Sequence, residues 1–174
     1  KKELAQVPGK LAETFELSED IAQKAIRYRF MNECFVLARG INYAIALETA
    51  LKIQETNYVR AKAFAVSDFW HGPIAMVNHE IPVIVLAPKG PSLQDVEVML
   101  DKLQTEQAEL LIISNQKKLL ARGACSFAIP ETENDVISAF YNVCVAQIFA
   151  CQLALIKGLN PDHPHGLNKV TITK

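Results

Sequence analysis

Glu48, Lys52 and Glu55 fall at i, i+4 and i+7 within the segment ALETALKIQET. That spacing places the three charges on one face of a helix. The remaining positions of the helix are apolar: Ala46, Leu47, Ala50, Leu51 and Ile53. Because unpaired charge is costly to bury, such a stripe must face water, a partner or a cavity. Further along, His71 precedes Gly72-Pro73, an imidazole at a chain irregularity. Carboxylate, amine and imidazole together are the groups needed to move protons on a small polar substrate.

Each candidate has a plainer alternative. Glu55 is the choice for general acid/base, since moving a proton between adjacent carbons needs one carboxylate over both; otherwise it is a solvated helix-face glutamate. Lys52 follows Glu48 by four residues, the favourable order for an ion pair. It contacts substrate hydroxyls or polarises Glu55 while Glu48 holds it, or it is a surface pair and nothing more. His71 is a ring-opening acid/base or a helix-start histidine satisfied by backbone. Lys169 can form a Schiff base with a carbonyl substrate, or is a tail lysine. Arg39-Gly40 follows an apolar run, the position at which doubly wound sheets bind ligands; one glycine does not make a phosphate loop, and no Ser/Thr/Gly-rich loop follows a strand. His163 and His165 lack a foreseeable third ligand, so no metal is expected. His79 reads as an ordinary surface residue.

The elements that position these groups alternate. Short apolar runs at 34–38, 62–66, 82–87, 110–114 and 125–129 read as strands. Helical patterns cover 41–57, 92–107, a short piece near 116–122, and 135–158, the last ending in Lys157 and a C′ glycine, Gly158. Ser67 is read as a helix N-cap, and Ser92 with Asp95 as a capping-box-like start. Five such strands separated by helices predict an α/β fold, a three-layer α/β/α sandwich around a five-stranded parallel sheet. Residues 3–29 read as two amphipathic helices, with Pro8 in a first turn and Ser18-Glu19-Asp20 at a second helix start, more connector than core. The irregular tail from Asn160, with its prolines, is expected to lie against the body.

With 174 residues, half of them hydrophobic, the chain can bury a substantial core as one ordinary domain. A net charge of −1 gives no electrostatic reason to expect nucleic acid or an anionic membrane. Cys34, Cys125, Cys144 and Cys151 have no metal-ligand spacing and sit in apolar surroundings, so buried free thiols in a reducing cytoplasm are expected. Residues 136–156 carry no charge and have the length of a membrane span, but Ser138, Asn142, Gln147 and Gln152 interrupt them, which favours a buried central helix. The chain begins Lys1-Lys2 inside a helix-like pattern, consistent with a piece of a longer protein.

The segments FVLARG, INYAIALETALKIQETNYVRAKAF and DFWHGPIAMV, with the tail NPDHPHGLNKVT, resemble the second sugar-isomerase (SIS) domain of double-SIS proteins. That group includes the isomerase part of glucosamine-6-phosphate synthase, SIS-type glucosamine-6-phosphate deaminases and fructosamine-phosphate deglycases. The resemblance implies a flavodoxin-like fold and an aldose–ketose isomerase or amino-sugar deaminase acting on hexose 6-phosphates without metal or organic cofactor. It implies that Glu55 shuttles a proton between C1 and C2, that His71 opens the sugar ring and reaches a neighbouring subunit's site, and that Lys169 forms the Schiff base. Glu48 and Lys52 match supporting residues, and Arg39, Gly40 and Asn168 are taken as further supporting or substrate-binding positions. It divides the chain into a connector at 1–30, a SIS domain at 31–159, and a tail at 160–174 that contributes to the site. The implied partners are a sugar phosphate, a missing N-terminal SIS domain and further copies in a homodimer or larger homo-oligomer, with no nucleic acid or membrane, in the cytoplasm. Trp70 replaces a lysine common before HGP, and His165 stands where an arginine is frequent. A non-catalytic, sugar-phosphate-binding regulatory SIS module and a purely structural dimerisation domain are the alternatives from other classes.

Overall fold

The computed structural model describes residues 2–167. Five parallel strands form one sheet: β1 (Glu33–Ala38), β2 (Arg60–Ala65), β3 (Val83–Leu86), β4 (Leu110–Ser114) and β5 (Cys125–Ala128), in the order β2-β1-β3-β4-β5. Parallel pairing runs through in-register partners such as Ala38 with Ala65 and Val36 with Ile84. The sequence alternates to match, because successive strand side chains point to opposite faces. On β1, Cys34, Val36 and Ala38 enter one buried cluster while Phe35 and Leu37 enter another. Ile84 and Leu86 side with the first group, Val83 and Val85 with the second.

Each cluster is closed by its own helices, which completes the predicted three layers. On the first face lie α1 (Lys2–Phe15), α2 (Ser18–Ala25), α3 (Asn42–Asn57) and α7 (Asp135–Ile156). On the second lie α4 (Val66–Phe69), α5 (Leu93–Thr105) and α6 (Lys117–Leu120). α7 is long and apolar enough to cross a membrane by length and composition. Here it is a core helix: Ile137, Tyr141, Val145, Phe149 and Leu153 are buried among the strands and helices α1, α2 and α3. Asn134 starts it by accepting from the backbone N–H of Val136 and Ile137, satisfying orphan donors of the first turn.

Several local expectations give way to tertiary partners. Pro8 lies well inside α1, which begins at Lys2; the helix bears the lost backbone bond and packs Val7 and Thr14 inward. In α2, Ile21 and Ala25 are fully buried, so this N-terminal pair shares the main core. Ser67 does not cap: α4 starts at Val66, and the Ser67 hydroxyl accepts from Arg39 and donates to Asp68. Ser92 sits at the N-cap of α5 without a side-chain cap bond, since Ser92 turns toward Asp135 and Asp95 toward Arg39. Cys151 is exposed while the other three thiols are buried. Cys144 already lies at the margin of the buried face, at 8% exposure, and the drift of a helix over seven residues carries Cys151 across it.

Candidate functional site

The stripe forms as its spacing predicts. α3 turns its small residues Ala46, Thr49 and Ala50, with Ile53, to the core, which lets it approach the sheet and α7 closely. It ends at Tyr58 in the left-handed region (φ 57°), whose backbone N–H bonds to the Gln54 carbonyl. Glu48, Lys52 and Glu55 remain half-buried on the outer side. Lys52 Nζ lies 2.5 Å from Glu55 Oε2. Glu48 does not hold Lys52; its Oε1 accepts from Gln147 Nε2 of α7 at 3.1 Å. The hydrogen bond from Glu55 raises the Lys52 amine above its ordinary value, partial burial opposes this, and Glu48 adds a favourable field. An amine held charged beside a half-buried carboxylate can orient a hydroxyl-bearing ligand and stabilise negative charge on it.

A second group gathers at the opposite end of the sheet, at the carboxyl ends of β1 and β2. Arg39 leaves β1, and Gly40 follows it with φ 62°. Arg39 Nε donates to Asp95 Oδ2 at 2.9 Å and its NH1 to Ser67 Oγ at 3.0 Å. Arg39, Ser67, Trp70, His71 and Asp95, with Val66 and Val98, line an open cavity of about 420 Å³. The β1/β3 junction is where the strand order reverses, the customary crevice for ligands in doubly wound sheets. His71 is exposed, and its backbone N–H bonds to the Asp68 carbonyl at 3.1 Å.

The structure thus brings Glu48, Lys52 and Glu55 together, and separately brings Arg39 and His71 to one cavity. It does not join the two groups. Glu55 lies in the last turn of α3, and His71 follows β2, whose six residues span about 20 Å of extended chain. Lys169 and Asn168 lie outside the described residues. The tail before them returns to the Glu55 end, where the backbone N–H of His165 donates to the Tyr58 hydroxyl at 2.6 Å. Four side chains escaped the sequence reading: Gln147, Tyr58, Ser67 and Asp95. The trace of Gln147 was a polar residue in an apolar helix; Ser67 and Asp95 read locally as caps.

Comparison with known proteins assigns the chain to a family. The SIS domain model matches residues 31–157. The chain is 28% identical over 170 residues to the glutamine–fructose-6-phosphate aminotransferase (isomerizing) of Bacteroides thetaiotaomicron, covering 97% of this chain and 28% of that protein. The C-terminal domain of glucosamine-fructose-6-phosphate aminotransferase from Francisella tularensis superposes with a TM-score of 0.83 at 23% identity, over 91% of this chain and 45% of that one. Glucosamine-6-phosphate deaminase from Thermotoga maritima superposes at 0.73 and 23% identity, over 99% of this chain and half of the other. The chain therefore spans little more than a quarter of the curated relative's length, and it belongs to the SIS domain family.

Proposed function

We propose that this SIS domain works as the C-terminal half of a double-SIS enzyme that isomerises or deaminates hexose 6-phosphates, interconverting glucosamine 6-phosphate or fructose 6-phosphate with its partner sugar. The observation that carries the reading is the Glu48–Lys52–Glu55 stripe, with its amine on Glu55 at 2.5 Å and the tail returning to the same end of α3. Glu55 takes the proton from one carbon of the open-chain sugar and returns it to the neighbouring carbon, a role worth about 10²–10⁴ in rate for a positioned acid/base. Lys52 keeps that carboxylate oriented and meets substrate hydroxyls. Lys169 condenses with the sugar carbonyl, expelling water as the imine forms, so that the adjacent carbon loses its proton more readily.

His71, at the far end of the sheet from Glu55, is read as the ring-opening group of a neighbouring subunit's site. Arg39, Gly40 and Asn168 keep supporting places in the same proposal. So do the N-terminal SIS partner, the homo-oligomer and a cytoplasmic setting. The relatives, named for aminotransfer with isomerisation and for deamination, support this substrate class. The test incubates the full-length protein that contains this chain with glucosamine 6-phosphate, and separately with fructose 6-phosphate plus ammonia. Interconversion that Glu55→Gln abolishes, with sugar-phosphate binding retained, supports the reading. Near-wild-type turnover by Glu55→Gln removes Glu55 from its role.

A further inference from the structure

Lys52 has two carboxylates within reach along its own helix, Glu48 one turn before and Glu55 one turn after. Spacing alone favours Glu48, because glutamate four residues N-terminal to lysine is the better-oriented pair. The structure shows the other choice: Lys52 bonds Glu55 at 2.5 Å, and Glu48 is occupied by the side-chain amide of Gln147 at 3.1 Å. We infer that Gln147 of α7 is a positioning residue that selects the partner of Lys52, engaging Glu48 so that the amine commits to Glu55.

The position of Gln147 is set by the packing of α7 on α3. Two buried hydrogen bonds fix the helices on either side of it. Asn142 Nδ2 donates to Asn42 Oδ1 at 2.7 Å, and Asn57 Nδ2 donates to the Ala150 carbonyl at 2.9 Å. Asn42, Asn57 and Asn142 are each 2% exposed or less. A polar group buried in this way is costly to leave unpaired, so the two bonds hold the register of α7 along α3. Gln147 lies between them in that register, opposite Glu48. An amide is neutral and donates one hydrogen bond to the carboxylate without cancelling its charge. Glu48 therefore still contributes a negative field at Lys52 while its geometry is held elsewhere. A lysine at position 147 would neutralise Glu48, and an apolar residue would free it to compete for Lys52.

This inference rests on the reading of Glu55 as the proton-moving carboxylate, so the test has a structural arm and a kinetic arm. In crystal structures of the full-length protein, wild type is expected to show Lys52 on Glu55. Gln147→Met, which keeps length and removes the amide, is expected to show Lys52 divided between Glu48 and Glu55. In kinetics on the same proteins, Gln147→Met is expected to lower kcat by between about twofold and tenfold, with KM for the sugar phosphate changed less than about twofold, as befits a displaced acid/base. Adding Glu48→Gln to Gln147→Met removes the competing charge and is expected to return kcat toward wild type. A merely structural role for Gln147 gives no such rescue, because the second substitution would add its own cost. Lys52 staying wholly on Glu55 in the Gln147→Met crystals overturns the inference, as does a double variant no better than the single one. If wild type turns over neither sugar phosphate, the reading of Glu55 fails, and the crystallographic arm alone decides the role of Gln147.

Discussion

Lys52 Nζ sits 2.5 Å from Glu55 Oε2, one helical turn away, and not on Glu48, the partner that helical spacing favours. Both side chains are about 30% exposed, so the contact is neither a free surface pair nor a dry buried one. In an exposed setting such a pair contributes little to stability, at most about 1 kcal/mol. Under the proposed function its value lies in geometry: it fixes how a charged amine and a carboxylate are presented on the outer side of α3.

The pair should therefore separate stability from turnover. Lys52→Met in the full-length protein is expected to change thermal stability by less than about 1 kcal/mol while lowering kcat at least tenfold. Paired urea melts and steady-state kinetics on the same preparation check it. The raised amine value also has a sign. A lysine raised in the folded state contributes stability that is fully present below its ordinary value of 10.5 and is lost as pH rises through the higher folded value. The small stability difference between wild type and Lys52→Met should thus vanish only in strongly alkaline buffer.

A second ion pair tests the attachment of the N-terminal helices. Arg27, just after α2, meets Glu109 at the start of β4 through both carboxylate oxygens, at 2.6 and 3.0 Å, and the Tyr28 hydroxyl joins at 3.2 Å. The hydrogen bond from Arg27 holds the Glu109 carboxyl below its ordinary value of 4.5, against the opposing effect of partial burial. A carboxylate lowered in this way contributes stability that is present above 4.5 and lost as pH falls through its folded value. The stability gap between wild type and Glu109→Gln, read from urea unfolding, is expected to be constant around neutral pH and to shrink below about pH 4.5. A gap that widens on acidification would show that the pair does not tie this region down.

Much of the fold was legible because the strands are short, nearly continuous apolar runs separated by helical patterns. The run Leu110–Ile113 is apolar throughout and bounded by polar residues, the pattern of a strand covered on both faces, and the strand Leu110–Ser114 falls where the sequence places it. The stripe on α3 was legible because charge spacing is a local property. The exchange of partners was not, because it depends on a residue a hundred positions away. Gln147 meets Glu48 only once α7 is packed in register on α3. The same reason explains the misread caps at Ser67 and Ser92, whose hydroxyls are drawn to Arg39 and Asp135 by tertiary contacts. The separation of His71 from Glu55 required the strand β2 between them to be read as a spacer.

Thiol chemistry follows from burial. Cys34 is fully enclosed, and burial pushes its thiol up to about 12; Cys125 and Cys144 are raised for the same reason. Cys151 alone of the four is exposed. Since the thiolate is the reactive form, this chain under native conditions should titrate one fast thiol with an aromatic disulfide reagent, and four after denaturation. Cys151→Ser should remove the fast phase without shifting the melting midpoint. A fast phase that survives this substitution would place a second thiol at the surface.

Gly40 offers a test at the other end of the sheet. Its φ of 62° lies in the left-handed region, and a Cβ there would stand 2.8 Å from Ser92 Oγ. Gly40→Ala should thus pay twice, about 1 kcal/mol for the backbone conformation and a further amount for the crowded hydroxyl. Ser92 is a short side chain that can be removed, so Ser92→Ala in the Gly40→Ala background should return the second part and leave the first. Gly72 supplies the control, because its φ of 140° is also unfavourable to other residues while nothing lies within 4 Å of its Cβ position. Gly72→Ala should carry a conformational cost with no partner able to relieve it. Urea midpoints for these three variants, read against wild type, separate the two contributions. Full recovery of Gly40→Ala by Ser92→Ala would mean that crowding, and not backbone conformation, requires glycine at the end of β1.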